Sequence, residues 1–161
     1  MTDNTAIPQN KKNSQAIGIE KIYVKDVSYE APNVPDVFQN KWEPAIALNM
    51  DVKTAVLSKE KDLYEVTLKL TVTNKLNEKT AFLAEVSQAG IFTLKGFQEE
   101  QLKAIMATMC LHVLFPYARE AISDLTGRGG FPPLYLAPIN FDALYQQQLE
   151  AEKNKEQGTL H

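Results

Sequence analysis

A chain of 161 residues, 44% apolar and 23% charged, is long enough for one domain with a real core. Its net charge of −3 argues against a nucleic-acid binder, whose footprint is a basic face. No run approaches the ~20 apolar residues of a membrane span, so no stable membrane insertion is expected.

The polar N-terminus shows no secretory apolar stretch, so a cytoplasmic location is expected. The single cysteine, Cys110, excludes an internal disulfide and a multi-cysteine zinc site. Cys110 and His112 stand two apart on a predicted helix and do not share a face, so core cysteine is the better reading and no metal is expected.

Residues 1–16 are polar, with Pro8 and several Asn and Gln, and are expected to form a disordered arm. The Lys11-Lys12 pair within them is too short for a nucleic-acid patch. A single domain is then expected over residues 17–155.

Ile17 to Glu30 predicts a first strand. Ile17, Ile19, Tyr23, Val27 and Tyr29 fall on one parity; Glu20, Asp26, Ser28 and Glu30 fall on the other, mixed with Ile22 and Val24. Asp26 and Glu30 therefore belong to an outer face, where ordinary solvated charge competes with a functional role. Pro32 and Pro35 end the strand. The segment to Pro44 carries Val37, Phe38 and Trp42 without a clean period. Trp42 either folds onto the body or walls an apolar groove.

Ala45 to Thr54 alternates, with Ile46, Leu48, Met50 and Val52 against polar neighbours. Leu63 to Asn74 does the same, with Tyr64, Val66, Leu68, Leu70 and Val72 on one side. Both predict antiparallel strands with one buried face. Residues 75–79 close a hairpin in which Asn77 can take positive φ. Thr80 to Leu94 is a fourth strand, with Gly90 a bulge or close-approach site. Its parity groups Phe82, Ala84, Val86 and Phe92, and sends Leu83 and Glu85 outward beside Glu65.

Gln98 to Val113 predicts an amphipathic helix, with Leu102, Ile105, Met106, Met109, Cys110 and Val113 in one stripe. Packing between subunits or an ordinary core face would each explain its length. Pro116 interrupts the apolar run that follows, so the chain either kinks or starts a second helix there. That helical face runs to Gly127, and the Gly127-Arg128-Gly129-Gly130 segment ends it. Residues 131–138 form an apolar loop. Asn140 caps a last helix reaching about Lys155, and residues 156–161 read as a flexible tail.

Recognisable catalytic chemistry is missing. Residues 127–130 follow a helix and lack the lysine of a phosphate-binding loop, and there is no Gly-x-Ser-x-Gly elbow. Neither histidine stands beside a plausible nucleophile. The pattern points away from an enzyme and calls for no cofactor.

Four blocks nonetheless carry a resemblance. Residues 22–33 (IYVKDVSYEAPN), 80–86 (TAFLAEV), 114–120 (LFPYARE) and 136–144 (LAPINFDAL) resemble, in order and approximate spacing, signatures of the bacterial protein-export chaperone family SecB. The likeness runs from about Ile17 to Leu149. It implies an α+β fold, a four-stranded antiparallel sheet with helices packed on one face, assembled as a homotetramer that is a dimer of dimers.

The same resemblance implies an ATP-independent holdase that binds unfolded secretory precursors and delivers them to the SecA motor. By resemblance, Asp26, Glu30, Leu83 and Glu85 would meet SecA. Phe38, Trp42, Ile46, Leu48, Phe82, Phe131, Leu134, Tyr135 and Leu136 would line the client groove. Ala84, Val86 and Gln88, with Leu102, Met106 and Met109 of the long helix, would form the subunit interface. Two rivals stand beside this reading: a SecB-like chaperone devoted to an antitoxin, and a small-ligand-binding α+β domain closed by the aromatic loop.

Overall fold

The computed structural model describes residues 14–159. Four strands, β1 (Ala16–Glu30), β2 (Ala45–Ser58), β3 (Leu63–Leu76) and β4 (Lys79–Lys95), form one antiparallel sheet in the order β1-β4-β3-β2. Three helices follow: α1 (Glu99–Ala107), α2 (Met109–Arg128) and α3 (Phe141–Gly158). The expected arm up to residue 13, with Lys11-Lys12, and residues 160–161 of the tail lie outside the described residues.

Strict alternation builds the centre of the sheet. β3 buries Tyr64, Val66, Leu68, Leu70, Val72 and Leu76, and β4 buries Phe82, Ala84, Val86, Phe92 and Leu94 on the same inner face. Helix α2 lies across these two strands and supplies Cys110, Leu111, Leu114, Phe115, Ala118 and Ile122 to the core. Each fully buried side chain of Leu or Phe size contributes roughly 1.5–3 kcal/mol. The β3–β4 turn uses Asn77 (φ 49°) and Glu78 (φ 65°), both left-handed, as a tight hairpin with matching twist requires.

Three expectations need correction. β1 does not keep one parity: register shifts between Ile19 and Lys21 and between Val24 and Asp26 each insert an extra residue. They carry Tyr23 to the outer face, opposite Ala89, and turn Ile22 and Val24 inward, opposite Gly90 and Gln88. Gly90 itself is a close-approach site, since an added Cβ would meet the Phe92 ring at 2.8 Å.

The helical region breaks at Thr108 (φ −124°, ψ −79°) and runs uninterrupted through Pro116. Thr108 closes α1 by donating its hydroxyl to the Ala104 carbonyl at 2.7 Å. Pro116 sits on the exposed side of α2, as does His112, whose carbonyl loses its helical partner to the proline and can face water. At the other end of the chain, residues 156–158 of the expected tail are helical.

Ala84, Val86 and Gln88, expected at a subunit interface, are buried within the protomer on the face that α2 covers. Inward parity sends them to the subunit's own core. Leu102, Met106 and Met109 are half-buried against the same core.

Candidate functional site

The chain between β1 and β2 crosses over the end of the sheet. Asn33 anchors it by donating its side-chain amide to the Thr80 carbonyl at 2.9 Å, and a 3-10 turn at Asp36–Gln39 buries Val37. That anchor leaves Phe38 and Trp42 projecting over Phe131, with ring centroids 5.0 and 5.9 Å away. Phe131 rests on Phe82 at 5.2 Å, and Phe82 stacks with Tyr29 at 6.2 Å.

Phe131 arrives from α2 through Gly129 and Gly130, the latter at φ +89°, a backbone state that favours glycine. Buried Thr126 ties the loop down, accepting the Leu134 N–H at 2.9 Å and donating to the Ser123 carbonyl at 3.1 Å.

The expected groove residues separate into three groups. Phe38 (48% exposed), Trp42 (41%) and Ile46 (42%) are open to solvent, while Leu48 and Leu134 are half-buried beside them. Phe82, Phe131 and Leu136 are buried and act as floor instead of open wall, because each packs into the core cluster. Tyr135, 77% exposed, belongs elsewhere: it lines a cleft with Pro116, Arg119 and Arg128 on the outer side of α2.

The open aromatic cluster continues into β2. This edge strand turns Ile46, Met50, Val52 and Val56 to the inner face, yet α2 does not reach them and all four remain exposed. A trough of about 640 Å³ lies beside them, lined by Met50, Val52, Met106, Phe141 and Leu144 among others. An unpaired strand edge with an apolar flank can take an extended polypeptide by pairing its main chain and burying alternate side chains.

The outer face of the sheet is charged and hydrogen-bonded. Register places Glu30 opposite Leu83, Ser28 opposite Glu85 and Asp26 opposite Ser87, so the four expected motor-contact residues share this face. Lys69 pairs with Glu85 at 3.1 Å, and Thr71 donates to the other carboxylate oxygen at 2.9 Å. These contacts, the Thr71 hydrogen bond first, hold the Glu85 carboxyl below its ordinary range.

Glu65 accepts from the Tyr23 hydroxyl and pairs with Lys25 at 3.0 Å, and both lower its pKa, the Tyr23 hydrogen bond foremost. Burial, then Glu65, pushes the Tyr23 hydroxyl up to about 12. Sequence reasoning missed Tyr23, Lys25 and Lys69 on this face. Lys69 had a signal, since it shares strand parity with Glu65. Tyr23 had none, because the register shifts hide its side.

An antiparallel sheet backed by helices on one face, with an exposed aromatic cluster beside an unpaired edge strand, suits a protein that holds other polypeptides. The chain belongs to the SecB family: the family described as preprotein translocase subunit SecB matches residues 10–152. This is a family of chaperones and not of enzymes.

Relatives bear this out. The chain is 50% identical over 154 residues to the protein-export protein SecB of Methylococcus capsulatus, covering 95% of this chain and 98% of that one. It is 52% identical over 150 residues to the protein-export protein SecB of Legionella pneumophila, covering 92% and 91%. Among solved structures it is similar to the Mycobacterium tuberculosis SecB-like chaperone Rv1957, in complex with a ChAD peptide from the Rv1956 HigA1 antitoxin. That likeness has a TM-score of 0.66 at 22% identity over 77% of this chain and 91% of that one, and it shows the fold.

Proposed function

We propose that this protein is an ATP-independent holdase of the cytoplasm that binds unfolded secretory precursors and passes them to the SecA motor. The observation that carries the proposal is the continuity of the exposed Phe38–Trp42 cluster with the unpaired, apolar flank of β2. Such a surface selects extended apolar chain without demanding a sequence. The export-named relatives at 50% and 52% identity support export over the antitoxin-associated role.

A client aromatic or leucine buried in this groove contributes roughly 1.5–3 kcal/mol. Four such anchors give about 6–12 kcal/mol gross, less about 2–5 kcal/mol for ordering the client and at least about 4 kcal/mol for lost translational and rotational freedom. One groove therefore holds weakly, and tight capture comes from several grooves linked in one homotetramer, a dimer of dimers. Release needs no nucleotide if SecA engages the charged outer face through Asp26, Glu30, Leu83 and Glu85 while taking the client.

Replacing Phe38 and Trp42 together by Ala tests the groove. Both are exposed, so the thermal midpoint should stay close to that of the parent while capture of a urea-unfolded precursor weakens at least tenfold. Undiminished capture would sink the groove. The outer face is tested separately: Asp26→Lys with Glu30→Lys should abolish SecA binding and leave client capture intact.

A further inference from the structure

The Tyr29 hydroxyl and both polar atoms of the Asn74 side chain are buried and have no hydrogen-bond partner among the described residues. Asn74 is 0% exposed. Both residues lie on the inner face and flank β4: Asn74 is opposite Phe82, and Tyr29 is opposite Ala84, two residues further on. They stand on either side of Phe82, the ring on which Phe131 rests.

Packing gives no reason for an amide at position 74. The same face of β3 is otherwise filled by Val66, Leu68, Leu70 and Val72, and Asn is poorly suited both to strands and to dry interiors. A buried polar group without a partner is something folds ordinarily avoid. An extended polypeptide in the groove brings the missing complement, a row of main-chain N–H and C=O groups that have also left water. The Asn side chain offers two donors and an acceptor, and the Tyr hydroxyl offers one of each.

Phe131 rests on Phe82, the ring between these two groups, and the chain bearing it leaves α2 through Gly129 and Gly130. An added Cβ at Gly129 would stand 1.9 Å from the Tyr29 oxygen, so Gly129 sits directly on one of the two orphan groups.

We propose that Asn74 and Tyr29 are the hydrogen-bonding floor of the groove, reached when Phe131 moves aside, and that they bind the main chain of an extended client segment. The proposal rests on the client-groove reading above and adds main-chain recognition to it. It makes capture depend on free backbone amides as well as on apolar side chains.

The test uses a fluorescent peptide of alternating aromatic and leucine residues, and the same peptide N-methylated at alternate backbone amides. Both are titrated onto the full-length protein and its Asn74→Leu, Tyr29→Phe and Trp42→Ala variants. Losing one net hydrogen bond corresponds to a loss of about three- to tenfold. Asn74→Leu should bind the unmethylated peptide about tenfold more weakly and Tyr29→Phe about threefold. Both should discriminate less than the parent between the two peptides.

The Asn74→Leu protein should melt no lower than the parent, because the substitution removes an unpaired buried amide. If both variants bind both peptides as the parent does, the floor is refuted; if Asn74→Leu fails to fold, Tyr29→Phe decides by the same measure. Failure of the parent to bind either peptide, or of Trp42→Ala to weaken binding, overturns the groove itself and this proposal with it.

Discussion

Glu65 is the carboxylate most closely held on the outer face, by the Tyr23 hydroxyl and the Lys25 ammonium together. Its pKa lies below the ordinary 4.5 in the folded protein, as does that of Glu85. A lowered carboxyl pKa stabilises the fold fully above the ordinary value, and that contribution is lost as pH falls through the lowered one. Tyr23→Phe removes the leading cause at Glu65. Its carboxyl should then titrate closer to 4.5 by NMR, and the fall in thermal midpoint on acidification should become shallower. Asp26 and Glu30 make no ion pair among the described residues, so their charges stay open on this face. Their outward placement was legible because they lie beyond the second register shift of β1. Tyr23 lies between the two shifts, and period-2 counting sent it to the wrong side. Phe38 and Trp42 were named for the groove by the resemblance, composition having left Trp42 between body and groove wall; the burial of Phe82, Phe131 and Leu136 was not legible at all, since it depends on which segments meet in space.

At the level of elements, β2, β3 and β4 were readable because each alternates without interruption. The helices were less so. Pro116 announced a kink or a new helix; no new helix starts there, since α2 continues through it, and Thr108, which carries the break, gives little local signal in an otherwise helical run. Proline in a helix interior is about 3 kcal/mol less favourable than alanine where the helix cannot adapt. Here it lies on the exposed side, so part of that penalty is already relieved. Pro116→Ala should restore the N–H toward the His112 carbonyl and raise stability by about 1–2 kcal/mol. Thermal melting followed by circular dichroism measures this, and an unchanged or lower midpoint would show that the loss is fully compensated. The break at Thr108 also leaves α1 attached chiefly through half-buried Leu102, Ile105 and Met106, which suits an element that packs against something besides its own sheet.

Taken whole, the protomer covers only the middle of its sheet. α2 shields β3 and β4, while Ile17, Ile19, Val24 and Val27 of β1 stay exposed on one flank and Ile46, Met50, Val52 and Val56 of β2 on the other. On the proposed function, the β2 flank is the one open to clients and the β1 flank is left for assembly, beside the buried β4 residues that the resemblance names. If the protein assembles as the proposed homotetramer, Val24→Lys with Val27→Lys should lower its native mass and leave the protomer folded. Val86→Ala should instead destabilise the protomer through its own core. Light scattering beside thermal melting separates the two effects, and an unchanged mass for the lysine pair would move the interface elsewhere. The sheet order has a further consequence in time. Among the described residues β1 is the first strand made and pairs only with the last, β4, while β2, β3 and β4 follow one another as local hairpins. As the chain leaves the ribosome, β1 waits through the synthesis of three other strands with its apolar side chains unpaired, the circumstance in which nascent chains aggregate. A chaperone thus passes through that hazard each time it is made.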